Sequence, residues 1–218
     1  MSAIPFQREI VYPESDGEPM AETEYHLDET IYLIEALRER FRDTPDVYAW
    51  GDMFLYFKEG DPRSVVSPDV FVVRGVSKRK RRIYKFWEEQ GHVPCLVVEV
   101  TSDSTRDEDL GRKKSLYERL GVEEYVLYDP LGDYLDPRIQ GFHLIGGRYQ
   151  KISLQADGSL ISRTAGVTFR MEGSRIRLVE TASGQSLPRY EEARARNLAL
   201  EEENARLRAE LERARKTD

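Results

Sequence analysis

The segment Val93-Pro-Cys-Leu-Val-Val-Glu-Val-Thr101 restricts the fold more than any other stretch of the chain. Successive strand residues face opposite sides, so Leu96, Val98 and Val100 share one face and Cys95, Val97, Glu99 and Thr101 the other. Both faces are apolar except at Glu99, which places this strand inside a sheet covered on both sides. A lone carboxylate there must be paired, protonated or given a cation, because an isolated charge in an apolar interior is very costly. A second intrusion stands in Val65-Val-Ser-Pro-Asp-Val-Phe-Val-Val73, where Asp69 shares a face with Phe71 and Val73. Pro68 has no amide hydrogen for a ladder and marks a start, bulge or edge of that strand. Two carboxylates on strands able to lie side by side suit a hard divalent cation.

A lysine completes the set. A helix is expected over residues 106–120, and within it Leu110, Lys113, Tyr117 and Leu120 recur at 3-4-3 spacing. Lys113 therefore interrupts the stripe that packs on the sheet, with Asp109 four residues earlier in pairing range. An ammonium so directed is neutralised by the buried acids and can in turn hold an anionic substrate or position a water. Around this centre the chain reads as helix, strands, helix, strand and further strands. The first helix starts at Thr23, carries Tyr32, Leu33, Leu37 and Phe41 at helical spacing, and stops at Thr44-Pro-Asp46. Residues 47–57 and 65–73 read as a hairpin with a long loop, Gly121 as a helix stop, 124–128 as a strand, and 141–179 as shorter strands. The order predicts an α/β chain with a mixed sheet flanked by helices. Residues 1–22 read as an irregular lead-in, 23–180 as the globular domain and 188–218 as a C-terminal helix.

Composition narrows the function. Hydrophobic residues make up 39% and charged residues 33% of 218, enough for a core, and no run approaches the roughly 18 apolar residues of a spanning helix. The first residues lack the basic start and apolar run of a secretory leader, so a cytoplasmic protein with no membrane partner is expected. The single Cys95 excludes a disulfide framework and a multi-cysteine zinc site. His26, His92 and His143 are scattered without metal-ligand spacing and are assigned surface or core polar roles. A net charge of −7 argues against a generally cationic coat, so nucleic-acid contact must be local. The run Lys78, Arg79, Lys80, Arg81 and Arg82, followed by Tyr84, Lys85, Phe86 and Trp87, lies between the acid-bearing strands and is the candidate for phosphate contact. A solubilising loop is the competing reading. Past Pro188 the chain turns to Glu, Arg, Ala and Leu; Leu200 and Leu207 fall at d and Asn197 and Asn204 at a of a heptad. That pattern favours a two-stranded parallel coiled coil, hence a homodimer, over a lone solvated helix.

The segments SPDVFVV, CLVVEVTSDST, DLGRKKSLY and GVEEYVLYDP, in this order, resemble the Uma family of proposed endonucleases, within the PD-(D/E)XK, restriction-endonuclease-like superfamily. The resemblance covers about residues 23–180 and leaves the C-terminal helix outside. It implies a restriction-endonuclease-like core, DNA as substrate, and Mg²⁺ (or Mn²⁺) held by Asp69, Glu99 and the backbone carbonyl of Val100. The lysine usual two residues after the second acid is absent, Thr101 standing there; the Uma pattern carries it on the next helix, where Lys113 matches and Lys114 suits the stripe less. Asp109 and Tyr117 match the same helical motif as supports. Some members add a first-helix glutamate, for which Glu24 and Glu35 both qualify. The implied activity is metal-dependent hydrolysis of DNA phosphodiester bonds, with Lys113 assisting the attacking water or the transition state. The alternative is a non-catalytic relative that keeps the fold and uses its coil as a DNA-binding or interaction scaffold.

Overall fold

The computed structural model describes residues 10–15, 17 and 22–215; the rest of the expected lead-in lies outside the described residues. Helix α1 (Glu24–Arg40) begins at Thr23, whose side-chain oxygen accepts the His26 N–H at 3.2 Å. It buries Tyr32, Leu33, Ala36 and Leu37 on one stripe. Strands β1 (Val47–Trp50), β4 (Val70–Arg74), β6 (Leu96–Val100), β7 (Glu124–Tyr128), β8 (Ile139–Ile145) and β9 (Arg148–Lys151) form a six-stranded sheet in the order β1-β4-β6-β7-β8-β9. The β6–β7 pair is parallel and every other pair antiparallel. This is a mixed sheet with a helical crossover between its parallel strands. No helix among the described residues is long and apolar enough to cross a membrane.

The two faces of β6 carry two cores, as its double apolar pattern requires. On one, Leu96, Val98 and Val100 pack with Leu33 and Leu37 of α1. An antiparallel sheet of β10 (Leu160–Ser162), β11 (Val167–Glu172) and β12 (Arg175–Glu180) covers the same core through Phe169 and Leu178. On the other, Val97 packs with Phe71, Tyr125 and Leu127 beneath Leu116 and Tyr117. Those two belong to α2, residues 106–120, which runs as an α-turn Arg106–Glu108, a π-helical stretch Asp109–Lys113 and an α-helix Lys114–Leu120, closed by Gly121 at φ 86°.

Two expectations change in detail. The π-helical turn inserts extra backbone and rotates the helix face, so Leu110 is 40% exposed while Asp109 is buried and Lys113 points inward. The 3-4-3 stripe holds for Lys113 and Tyr117 and fails for Leu110. The hairpin over 47–57 and 65–73 is split: β1 pairs with β4, whereas β2 (Leu55–Tyr56) leaves to join β3 (Val65–Val66) and, in parallel, β5 (Tyr84–Lys85). The bend falls at Gly51-Asp52. A Cβ on Gly51 would stand 1.9 Å from the Asp69 carbonyl oxygen, and Asp52 takes a φ of 46° as its N–H reaches Pro68 O at 3.0 Å. The two chains pass too closely there for a regular ladder.

At the far end, helix α3 (Tyr190–Arg215) is rooted in the body rather than hinged at residue 188. Arg189 is buried, with Nη2 2.9 Å from both carboxylate oxygens of Glu29 and 2.8 Å from Ile176 O. Arg177 binds Glu192 through both guanidinium nitrogens, at 2.7 and 2.6 Å. Beyond that turn the helix is solvent-exposed.

Candidate active site

The site is built where β4 and β6 part. Their ladder ends at Val70 opposite Val98, because Pro68 has no N–H to extend it and the chain turns towards Gly51. The freed backbone amides need acceptors, and each is taken by the acid of the opposite strand. The Asp69 N–H donates to Glu99 Oε2 at 3.2 Å, and the Val100 N–H donates to Asp69 Oδ2 at 2.7 Å. The two carboxylates are thereby crossed over the fork.

The helices supply the rest. From α2, Lys113 Nζ lies 3.0 Å from Glu99 Oε2 and 3.0 Å from Asp109 Oδ1, and the Tyr117 hydroxyl donates to Glu99 Oε1 at 2.8 Å. From α1, His26 Nε2 lies 3.4 Å from Asp69 Oδ2, and its Nδ1 lies 3.6 Å from Glu22 Oε2. Glu99 is fully buried and Asp69 keeps 22% side-chain exposure, so the centre opens on the Asp69 side. Thr101 is also buried, and its hydroxyl has no hydrogen-bond partner among the described residues.

Three acids facing one ammonium in a buried place shift one another. Burial pushes Glu99 up to about 8, against the pull of Lys113 and with the push of Asp69 and Asp109. Burial also raises Asp109. For Asp69 burial is outweighed by the His26 hydrogen bond and by the charges of Lys113 and His26, which hold it below the ordinary carboxylate range. Lys113 is likewise desolvated, yet Glu99, Asp109 and Asp69 hold its ammonium well above the usual range. His26 is raised because Asp69 and Glu22 outweigh its burial. Neighbouring carboxylates pushed in opposite directions are the arrangement from which acid and base roles are drawn.

Asp69, Glu99, Lys113, Asp109, Tyr117 and the Val100 N–H are thus joined at one fork, and Thr101, next to Val100, is buried. Lys114 does not join them; its Nζ stands 3.6 Å above the Phe142 ring centroid. Glu24 is exposed and Glu35 pairs with Arg38 at 2.6 Å, so neither first-helix glutamate reaches the acids. The first helix contributes His26 instead, a buried polar residue whose partner is Asp69. The spacing held a signal: His26, Thr30, Leu33 and Leu37 follow at 4-3-4 intervals on the buried stripe of α1. The basic run divides. Lys78 Nζ donates to the carbonyls of Phe41 and Arg42 at the end of α1. Arg79 and Arg81 share Glu89, Arg81 lies over the Tyr48 ring, Arg82 turns to Glu14, and Lys80 is exposed.

The donors fit a hard divalent ion. Asp69 Oδ1 carries no hydrogen bond among the described residues, and the Asp69 side chain is partly open. No group of three or more His, Cys, Asp or Glu side chains among the described residues is spaced to bind a metal alone. Two carboxylates and a carbonyl suit an ion that retains several waters, as Mg²⁺ does.

A first helix, antiparallel strands, a crossover helix and a parallel strand, with two acids at a strand fork, make up a mixed α/β architecture. Over residues 2–173, more than three quarters of the 218, the chain matches the Uma2 family, described as "Putative restriction endonuclease". It belongs to that family. Among solved structures it is similar to one from Anabaena variabilis ATCC 29413 described as "a putative nuclease belonging to DUF820". The two are 13% identical, the match covers 70% of this chain and 81% of that chain, and the TM-score is 0.49. No curated protein matches the chain.

Proposed function

We propose that the protein is a metal-dependent endonuclease hydrolysing DNA phosphodiester bonds, with Mg²⁺ (or Mn²⁺) held by the carboxylates of Asp69 and Glu99 and the carbonyl of Val100. The observation that carries this reading is the convergence of Lys113 Nζ, at 3.0 Å, on a fully buried Glu99 that is itself hydrogen-bonded to the Asp69 backbone. When bound, the ion supplies Lewis acidity at the phosphoryl oxygens and lowers the pKa of water.

The chain's own groups do the rest. Glu99 would hold the ion as its carboxylate form, and Tyr117 fixes its Oε1 and so orients the carboxylate. His26 and the Val100 N–H engage Asp69 Oδ2 and leave Oδ1 for the ion. Without the ion, Glu99, Asp109 and Asp69 hold Lys113 in its ammonium form. Its role is to donate from Nζ, orienting the attacking water or stabilising the charge that gathers on the phosphoryl oxygens. Asp109 keeps that ammonium aimed at the centre.

The same reading has two copies join through α3, where Leu200, Leu207 and Leu211 of its seam are 46%, 50% and 56% exposed. Nicking of supercoiled plasmid tests the enzyme. Wild-type protein is expected to nick with Mg²⁺ or Mn²⁺, and Asp69→Ala, Glu99→Ala and Lys113→Ala each to lose at least about a hundredfold. No nicking by wild type with either ion, together with unchanged metal affinity in Asp69→Ala and Glu99→Ala, would leave the non-catalytic scaffold as the function.

A further inference from the structure

A groove of about 690 Å³ wraps the free edge of β1, between the last turns of α1 and the 78–81 loop. Its floor includes Trp50, an aromatic 36% exposed at the end of that strand, with the Arg38 guanidinium 4.9 Å from the ring centroid. Arg42, Lys78, Lys80 and the Glu89-bound pair Arg79 and Arg81 line the rest. Six cations therefore stand against the lining acids Glu35 and Glu39 and the adjoining Asp43 and Glu89, in a protein whose net charge is −7. The arginine–glutamate pairs on α1 are exposed, and such pairs are weak enough to exchange for a stronger anion.

Trp50, at one end of the groove, lies close to the acids along the sheet. Trp50 pairs with Phe71, and Asp69 lies two residues before Phe71, about 7 Å of extended chain. Gly51, next to Trp50, touches the Asp69 carbonyl so closely that no side chain fits between them.

We propose that this groove is a subsite for unpaired nucleic acid beside the cutting centre, with Trp50 as the stacking platform for a base and Arg38, Arg42 and Lys80 as phosphate contacts. The choice of ligand rests on the nuclease reading of Asp69, Glu99 and Lys113. A cationic groove paved with an exposed aromatic is the arrangement by which proteins hold single strands without reading sequence. An open β-strand edge can instead accept a peptide strand; the excess of cations favours the polyanion.

Binding is measured on the full chain in EDTA, so that no cleavage is involved, with a fluorescein-labelled single-stranded oligonucleotide. Trp50→Ala is expected to weaken binding about tenfold or more, and Lys80→Ala to reduce the slope of log affinity against log salt by about 0.7. Melting curves matching wild type establish that both variants fold. With Mg²⁺ present, Trp50→Ala is expected to raise KM while kcat is kept. Wild-type affinity and salt slope in both folded variants would overturn the subsite, as would displacement of the oligonucleotide by an uncharged extended peptide. The two readings fail separately. Loss of EDTA binding in Trp50→Ala without any nicking by wild type sinks the nuclease and keeps the groove; nicking that is indifferent to Trp50 does the reverse.

Discussion

Glu99 occupies a position that an apolar residue would fill more cheaply, and its protonation state governs the centre. In the folded chain it holds its proton up to about pH 8, whereas the unfolded chain releases it near 4.5. Between those values the folded state binds more protons, so stability of the metal-free protein is expected to fall as pH rises from about 5 to 8. Divalent metal binds the deprotonated carboxylate, so its stabilising effect should grow over the same range. Thermal melts with and without Mg²⁺ across that range measure both trends; a metal effect that shrinks with rising pH would contradict them. Lys113→Met keeps most of the packing but removes the ammonium that faces the acids. It is expected to abolish nicking and to destabilise the metal-free fold by about 3 kcal/mol at pH 8, and by less at pH 5, where Glu99 keeps its proton. Denaturant melts at the two pH values measure this. Of these residues, the acids and Lys113 were legible because a charge inside an apolar pattern is conspicuous. His26 was not, because a histidine on an apolar stripe looks the same whether it meets a carboxylate or a hydroxyl.

Local geometry at the junctions between elements was harder to read. The β4–β6 fork was foreshadowed by Pro68, which cannot donate, yet the reciprocal use of each acid by the other strand's amide depends on how far the strands diverge. The π-helical stretch Asp109–Lys113 left no signature in spacing, since it arises where Asp109 and Lys113 are both drawn towards the sheet. Gly51 falls inside the extended segment 47–57, where nothing in the sequence marks that a Cβ would collide with the Asp69 carbonyl. Gly51→Ala is therefore expected to push the β4 end outward, with a stability loss of about 1–3 kcal/mol from overpacking and weaker metal binding. Calorimetric Mg²⁺ titration of the folded variant reads the second effect; wild-type affinity would show that the contact does not position Asp69.

Over the full chain, the central sheet and its two flanking helices followed from hydrophobic period, while the root of α3 did not. Arg189 lies past the compositional shift but inside the body, where it neutralises the buried Glu29 and stacks 4.0 Å over the Tyr32 ring. A charged residue at the edge of a charged helix gives no sequence sign of such burial. Two truncations separate its roles. Removing residues 197–218 is expected to halve the solution mass to that of one shortened chain and leave the melting temperature nearly unchanged. Removing residues 188–218 takes Arg189 as well, leaving Glu29 unpaired at a cost of about 3 kcal/mol. Light scattering and thermal melts read the two outcomes. A dimer that survives the shorter deletion would place its interface in the body.

The proposed role of Asp69 and Glu99 is tested most directly by anomalous diffraction from crystals soaked in Mn²⁺. A peak within bonding reach of both carboxylates is expected, with Lys113 beside it, and the peak should vanish in Glu99→Gln. Saturating Mn²⁺ that leaves those oxygens unligated in an intact lattice would contradict the assignment of this fork as the metal centre.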